Sequence, residues 1–420
     1  MIRVGVIGVG TVGASVVKIL KQNADIIEAR SGAKIVVKSG VVKNLSKKRE
    51  LGIELSDDAD SVLEDESIYI VVELMGGVEE PFAVVKKALE KGKAVVTANK
   101  ALLAYHRYEL QDIAKDIAFE YEASVAGGIP IINALRDGLS ANHIESIMGI
   151  MNGTCNYMLT KMRDESVGYD AILKEAQALG YAEADPTFDV GGYDAAHKLL
   201  ILASIAYGID AKPEDILIEG IENITQDDIA FAKEFGYEIK LLAIAKRDGD
   251  TVELRVHAAL IDADEMIAKI DGVMNGVSVV GDMVGETLYY GPGAGGDATA
   301  SAVVANIIDI ARSGKSRPML GFDRPLEHGL RLKPQEDIRS KYYLRLKVKD
   351  ESGVLAKISK LFGEHSISIA TMLQKNLDER YANLLFATHE AKESDIQTVI
   401  AALARFDFVE GEAVMIRIVS

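Results

Sequence analysis

The first residues whose spacing could support chemistry are three glycines close to the N-terminus, Gly8, Gly10 and Gly13. They follow an apolar, β-rich run and precede a stretch with apolar positions at helical spacing. In such a strand-turn-helix unit the first glycine permits a tight turn, the second lets the backbone approach a diphosphate, and the third lets helix and strand pack closely. The N–H groups at the helix start would face the phosphates. The pattern predicts a dinucleotide site, with a purely structural turn as the alternative.

A cluster of cations lies just beyond the second predicted strand: Lys43, Lys47, Lys48 and Arg49. An NAD-specific site would carry an acid at this strand end to bind the ribose 2′-hydroxyl, but the strand ends in Val42-Lys43-Asn44. The cations therefore favour NADP, whose 2′-phosphate they could bind. A solvated basic loop is the alternative.

A lysine, Lys100, closes the segment Thr97-Ala98-Asn99-Lys100 that follows an apolar strand. The segment therefore lies at the carboxyl end of a sheet strand, where open α/β sheets bind ligands. Lys100 could polarise a carbonyl group there, or it could be a surface residue that begins the next helix.

A third group of charges begins in the acidic loop of residues 180 to 189 and continues into a helix that carries Asp194, His197 and Lys198. Asp194 and Lys198 are four residues apart and share a helical face. An ordinary surface ion pair is the alternative reading. The helix is apolar nearly all round, so it should be buried. A charged pair at the mouth of a buried helix indicates a site for a zwitterion.

The elements that must position these residues alternate along the first part of the chain. Helical stretches such as 81–91 and 102–117 separate β-rich runs at 2–7, 34–42, 68–74, 94–97 and 118–122. Alternation of this kind predicts an α/β fold with a Rossmann-type parallel sheet covered by helices.

Later segments have a different pattern. Helices over 169–179 and 193–207 and strands over 239–245 and 252–259 indicate an α+β domain, and the Gly-rich segment 291–296 opens a helix over 298–311 that we expect to close back on the first domain. The last 80 residues have the order βαββαβ of a ferredoxin-like unit, which we predict to be separate. The expected domains are a dinucleotide-binding domain over 1–130 completed by about 286–316, a catalytic and dimerisation domain over 131–285, a linker over 317–340, and the ferredoxin-like domain over 341–420.

Composition excludes several classes of partner. The 420 residues carry a formal charge of −17, so we expect no binding to nucleic acid or to an anionic membrane surface. Cys155 is the single cysteine, so an intramolecular disulfide cannot form. With no secretory signal and no long apolar run, a cytoplasmic location is expected.

The ordered set of motifs resembles homoserine dehydrogenase in the form that carries a C-terminal ACT domain. Those motifs are the glycine loop 8–13, Thr97 to Lys100, Asn152 to Tyr157, Gly180 to Asp189, Asp194 to Lys198 and Tyr290 to Gly295. The resemblance implies NAD(P)H-dependent reduction of L-aspartate 4-semialdehyde to L-homoserine, in threonine, methionine and isoleucine biosynthesis.

The resemblance also implies roles for individual residues. Lys198 and Lys100, with Asp194, would form the catalytic group at the aldehyde oxygen, and Glu183, Asp194 and Lys198 would bind the substrate. NADP(H), with NAD(H) as the weaker choice, would be bound by Gly8, Gly10, Thr11, Val12, Gly13, Lys43, Thr97, Lys100 and Gly295. A monovalent cation, Na⁺ or K⁺, would be bound by Glu122, Val125, Gly127 and Ile129.

The C-terminal domain implies an amino-acid effector, with L-threonine the leading candidate, near Ser352 and Gly353. The usual proline of this loop is replaced by Ser352, which leaves the effector loop less rigid. A domain that only dimerises is the alternative, and a homodimer or higher oligomer is expected. Two other functions stay open: a non-catalytic dinucleotide and amino-acid sensor, and another NADP-dependent amino-acid semialdehyde dehydrogenase.

Overall fold

The computed structural model describes residues 1–313, 317–327 and 329–419. The chain forms two compact units. The first unit contains Met1–Gly153, Asp194–Asp215 and Val273–Leu330, and the second contains Thr154–Tyr193, Ile216–Gly272 and Arg331–Ser420.

The strands, in chain order, are β1 (Ile2–Ile7), β2 (Ile35–Val41), β3 (Glu54–Ser56), β4 (Ile70–Glu73), β5 (Ala94–Thr97), β6 (Phe119–Glu120), β7 (Ile144–Ile150), β8 (Leu217–Ile218), β9 (Tyr237–Asp248), β10 (Thr251–Asp262), β11 (Met274–Gly281), β12 (Gly285–Pro292), β13 (Arg331–Leu332), β14 (Arg339–Lys349), β15 (Ile369–Asn376), β16 (Tyr381–Thr388), β17 (Ala391–Lys392) and β18 (Val414–Val419).

The helices are α1 (Thr11–Gln22), α2 (Ala24–Ser31), α3 (Asp60–Leu63), α4 (Glu79–Glu90), α5 (Lys100–Ala114), α6 (Ile131–Asn133), α7 (Gly153–Glu165), α8 (Tyr169–Ala178), α9 (Thr187–Val190), α10 (Tyr193–Tyr207), α11 (Gln226–Glu234), α12 (Gly296–Ser313), α13 (Val354–Glu364) and α14 (Glu393–Leu403). None of the helices in the described ranges combines the length and the apolar character that a membrane crossing requires.

The first unit is built around a parallel sheet with the strand order β3-β2-β1-β4-β5-β6. This is the strand order of a dinucleotide-binding sheet. The order of successive strands changes direction between β1 and β4, and such sheets bind their ligand at this point. Helices α1 and α12 bury Val16, Leu20, Val303 and Ile307 in the same apolar core as the sheet. The predicted Rossmann-type sheet is confirmed. The first unit also contains the antiparallel strands β12-β11-β7.

The second unit contains a long antiparallel hairpin of β9 and β10 around a turn at Gly249, which has φ +61°. Strand β18 pairs in parallel with β10, and the strand order of the sheet beyond it is β18-β14-β16-β15. Helices α13 and α14 cover this C-terminal part, with Ile358, Phe362 and Ile396 in its core. The predicted βαββαβ order is confirmed.

Three predictions about organisation differ from the structure. The last 80 residues are not separate, because β18 pairs in parallel with β10. The predicted linker 317–340 is partly regular, since Arg331–Leu332 pairs with β10 and β14 begins at Arg339. Such two-residue strands carry no periodicity that a sequence could reveal. The expected strand over 118–122 is only Phe119–Glu120, and a 3₁₀ turn follows at Glu122–Ser124. The expected boundary at residue 316 lies outside the described residues.

Candidate active site

The glycine turn between β1 and α1 has the backbone that its sequence predicts. Gly8 has φ +97°, and a Cβ atom there would lie 2.5 Å from the Leu74 carbonyl oxygen. A Cβ atom at Gly13 would lie 2.8 Å from the Gly8 carbonyl oxygen, whereas one at Gly10 would meet nothing within 4 Å. No side chain of the described residues caps the start of α1. The turn therefore has open space over Gly10 and free helix-terminal N–H groups, a combination that fits a diphosphate.

The second glycine loop lies beside this turn. A Cβ atom at Gly296 would lie 3.0 Å from both Thr11 Cγ2 and Ser15 Oγ, and Lys18 Nζ lies 2.6 Å from Asp297 Oδ2. Gly295 has φ +118°. This loop therefore lies against the first turn of α1, and the starts of α1 and α12 are next to each other.

In the basic cluster after β2, two of the four cations have partners in the described chain and two do not. Arg49 Nη1 donates to the carbonyl oxygens of Asn44 and Lys47, at 2.9 and 3.1 Å, and Lys48 Nζ lies 3.0 Å from Glu50 Oε1. Lys43 and Lys47 are exposed, and neither side chain makes an ion pair or hydrogen bond within the described chain. Lys43, which almost directly follows β2, is thus the cation best placed to meet a 2′-phosphate.

A buried carboxylate that the sequence analysis missed lies at the end of β4. Thr97 Oγ1 donates to Glu73 Oε2 at 2.5 Å, and the Asn99 N–H donates to Thr97 Oγ1 at 2.9 Å. Burial raises the pKa of Glu73 to about 6, although the Thr97 hydroxyl favours the ionised form. The hydroxyl of Thr97, which the resemblance assigned to the cofactor, is thus hydrogen-bonded inside the protein. An acid that ends an otherwise aliphatic strand was the available signal.

Three charged side chains converge at the starts of α5 and α10. Asp194 Oδ1 lies 2.6 Å from Lys100 Nζ, and Asp194 Oδ2 lies 2.7 Å from Lys198 Nζ. The side chains of Asp194 and Lys198 are 4% and 11% exposed, whereas that of Lys100 is 34% exposed. Burial opposes ionisation of Asp194, but the two ammonium groups outweigh it and hold the pKa of this carboxyl well below its usual range. One carboxylate and two ammonium groups leave a net positive charge in a mostly buried site.

The loop after β7 supports this group from the other side. Lys198 Nζ donates to the Met151 carbonyl oxygen at 2.6 Å, and Asn152 Nδ2 donates to Asp194 Oδ2 at 2.9 Å. The first contact was not predicted because backbone carbonyls leave no trace in a sequence, and the second because Asn152 and Asp194 are distant along the chain.

His197 is buried next to the same charges. Burial and the neighbouring Lys100 ammonium lower the pKa of His197 to about 4, so the imidazole is neutral at pH 7. Its ring lies edge-on to Tyr105, with 5.7 Å between centroids.

Glu183, predicted to bind the substrate, belongs to the second unit. It lies on the exposed loop between α8 and α9, and its carbonyl oxygen accepts a hydrogen bond from Gln177 Nε2 at 3.0 Å. Its part in substrate binding stays a prediction.

Residues 122 to 129, the predicted cation segment, form a tight turn. Glu122 is buried, and its carboxylate accepts the N–H groups of Ile132 and Asn133 at 2.9 and 2.8 Å. Burial raises the pKa of Glu122 to about 7. The Ile129 carbonyl oxygen likewise accepts the Ile131 N–H, at 2.8 Å. Binding of a cation by Glu122 and the carbonyl oxygens of Val125, Gly127 and Ile129 stays a prediction. No group of three or more His, Cys, Asp or Glu side chains in the described chain is arranged to bind a metal.

The predicted effector loop lies before α13 in the second unit. Gly353 has φ +89°, and a Cβ atom there would meet nothing within 4 Å. Ser352 is exposed, and α13 has no side-chain cap within the part of the chain that the structure describes. The Val354 N–H donates to the Glu351 carbonyl oxygen at 3.4 Å, so a carboxylate would meet the N–H groups that follow it in the first turn of α13.

Comparisons with known proteins agree with this site. Residues 8–122 match the NAD-binding domain of homoserine dehydrogenase, residues 130–308 match homoserine dehydrogenase, and residues 342–408 match the ACT domain. The homoserine dehydrogenase of Helicobacter pylori is 54% identical over 418 residues, 99% of each chain. The crystal structure of the Thiobacillus denitrificans homoserine dehydrogenase is 44% identical with a TM-score of 0.93, over 100% of this chain and 98% of that one. A hyperthermophilic archaeal homoserine dehydrogenase in complex with NADPH is 27% identical with a TM-score of 0.63, over 73% of this chain and 97% of that one. The chain therefore belongs to the homoserine dehydrogenase family, as an NAD(P)-dependent oxidoreductase with a C-terminal ACT domain.

Proposed function

We propose that the protein reduces L-aspartate 4-semialdehyde to L-homoserine with NADPH as the preferred reductant. The observation that carries this proposal is the position of Asp194 between the ammonium groups of Lys100 and Lys198. Two ammonium groups around one carboxylate suit a reaction that builds negative charge on an oxygen, because they stabilise that charge in the transition state.

When bound, the dinucleotide would supply a hydride to the aldehyde carbon. Lys198 then donates a proton to the aldehyde oxygen, since its more buried charge is less screened by water than that of Lys100. Lys100 stabilises the same oxygen, and its greater exposure lets it exchange protons with solvent. Asp194 orients both lysines and, with Glu183, binds the substrate amino group.

The dinucleotide would be bound by the two glycine loops. Gly8, Gly10, Thr11, Val12, Gly13 and Gly295 hold the diphosphate, and Lys43 meets the 2′-phosphate. The archaeal relative that binds NADPH supports this choice. Thr97 contributes to the dinucleotide site indirectly, through its hydrogen bond to Glu73. Lys100 lies at the carboxyl end of the strands, where we expect the reacting end of the dinucleotide.

Three further features complete the proposal. A monovalent cation is bound by the turn of Glu122, Val125, Gly127 and Ile129. An amino acid, L-threonine in the first instance, binds near Ser352 and Gly353 and inhibits the enzyme. The protein works in the cytoplasm as a homodimer or higher oligomer.

Oxidation of NADPH, followed at 340 nm with two aldehydes, tests the proposal. L-Aspartate 4-semialdehyde should be reduced with a kcat/KM at least 100-fold above that of succinate semialdehyde, which lacks the amino group. Equal rates for the two aldehydes would contradict the assigned substrate, and no oxidation with either would favour the sensor.

A further inference from the structure

Glu73 is a fully buried carboxylate at the edge of the sheet where ligands bind. It is the last residue of β4, next to the point at which the strand order reverses, and it follows Ile70, Val71 and Val72. No Lys, Arg or His side chain of the described residues forms an ion pair with it. Burying an acid without a counter-ion is costly, so its retention in an aliphatic strand calls for a function.

Neutral donors take the place of the counter-ion. Glu73 Oε1 accepts the Met75 N–H at 2.7 Å, and Glu73 Oε2 accepts the Thr97 hydroxyl at 2.5 Å. Because a hydroxyl has one proton, the carboxylate fixes the direction of the Thr97 hydroxyl and leaves its lone pairs for the Asn99 N–H, at 2.9 Å. A single side chain thus sets the conformation of two neighbouring strand ends.

Asn99 connects these hydrogen bonds to the start of α5. Its Oδ1 accepts the Leu102 N–H at 3.0 Å, which caps the helix, and its Nδ2 donates to the Gly77 carbonyl oxygen at 2.9 Å. Lys100 is the first residue of the capped helix. The direction in which Lys100 leaves the backbone is therefore determined by the chain of hydrogen bonds from Glu73 through Thr97 and Asn99.

We propose that Glu73 is a positioning residue for the reaction, which acts through Thr97 and Asn99 to hold Lys100 at the distance from Asp194 that catalysis requires. The proposal rests on the catalytic role proposed above for Lys100. It gives the buried acid a task in the reduction step beyond stability of the sheet.

A double-mutant cycle between Glu73 and Lys100 tests the proposal. Glu73→Gln keeps the side-chain volume but removes the charge that orients the Thr97 hydroxyl, so kcat should fall about tenfold, since small displacements of a catalytic group have large effects on rate. In a Lys100→Ala background the same substitution should change kcat by less than twofold, because the group that Glu73 positions is gone. Steady-state kinetics of the four proteins with NADPH and L-aspartate 4-semialdehyde gives both values.

Matched variants separate positioning from folding. Glu120→Gln makes the same change at another buried strand end of the sheet, where the acid pairs with Arg136 at 2.7 Å, and it should leave kcat within twofold of the wild type. If Glu73→Gln fails to fold, as judged by circular dichroism, two substitutions of Thr97 test the proposal instead. Thr97→Val should lower kcat about tenfold, whereas Thr97→Ser, which keeps the hydroxyl, should lower it less.

Two results would overturn the proposal: a kcat within twofold of the wild type for Glu73→Gln and Thr97→Val, or an equal loss from Glu73→Gln in both backgrounds. A Lys100→Ala variant as fast as the wild type would refute the role of Lys100 itself, and the single variant reveals that failure. A slow Lys100→Ala with an unimpaired Glu73→Gln would refute the role of Glu73 alone.

Discussion

The ammonium nitrogen of Lys100 lies 2.6 Å from Asp194 Oδ1, although the two residues lie in the first turns of different helices and are far apart in the sequence. The other oxygen of the same carboxylate is 2.7 Å from Lys198 Nζ. Asp194 therefore sets the spacing of two ammonium groups that would otherwise repel each other, and the site depends on its charge.

Replacing this charge should impair both binding and rate. Asp194→Asn keeps the size of the side chain but leaves the ammonium groups of Lys100 and Lys198 without a counter-charge, so we expect kcat to fall by about 100-fold and KM for the semialdehyde to rise by about tenfold. Circular dichroism checks that the variant folds. Unchanged kcat and KM in a folded variant would show that Asp194 does not organise the lysines.

The basic loop after β2 should determine the choice of cofactor. Lys43→Asp introduces the acid that an NAD site would carry, so the ratio of kcat/KM for NADPH to that for NADH should fall at least tenfold. In the unmodified enzyme added salt should narrow the preference for NADPH, because Lys43 is exposed and its charge is screened. Lys34→Asp, just before the start of the same strand, serves as the control and should leave the ratio unchanged. A wild-type enzyme that uses NADH as well as NADPH would refute the assignment.

The effector loop can be tested without removing the ACT domain. Truncation would strip β18 from β10, so a point variant is the cleaner choice. Gly353→Ala places a side chain at φ +89° beside the N–H groups that would bind the effector carboxylate, and it should weaken L-threonine binding at least tenfold in calorimetric titrations. Gly411→Ala is the matched control, since Gly411 has φ +77° and equally open space. If L-threonine, L-methionine and L-isoleucine all fail to bind the wild-type protein, the assigned effector site is wrong.

A buried arginine fixes the C-terminal part of the second unit. Arg417 is fully buried, and its guanidinium binds Glu219 Oε2 and Glu393 Oε1, each at 2.6 Å. Arg417→Ala leaves Glu393 buried without its counter-charge and should lower the free energy of unfolding, measured by urea denaturation, by about 3–5 kcal/mol. Arg331 pairs with Asp250 where both side chains are 73% exposed, and Arg331→Ala should cost less than about 1 kcal/mol. Equal losses for the two variants would contradict this account.

Local patterns in the sequence predicted the elements more fully than their tertiary contacts. Periodicity predicted α10 over residues 193–207, the range observed, and the four-residue spacing predicted the pair of Asp194 and Lys198. Lys100 joins that pair only through tertiary packing, which no spacing encodes, and its role there came from the family resemblance.

The features that were missed share a physical reason. Glu73 and Asn152 act through hydrogen bonds to residues distant in the sequence, and Met151 acts through its backbone carbonyl. The pairing of β18 with β10 was missed because the sequence pattern of a strand shows which face is buried but not which strand lies beside it.

The kcat of Lys198→Ala in the reduction of L-aspartate 4-semialdehyde by NADPH tests the central claim most directly. Loss of the buried ammonium group should lower kcat by about 100-fold or more, equivalent to about 2.7 kcal/mol of transition-state stabilisation, while circular dichroism stays unchanged. A folded Lys198→Ala enzyme with kcat within a few-fold of the wild type would remove Lys198 from the mechanism and contradict the account of the site.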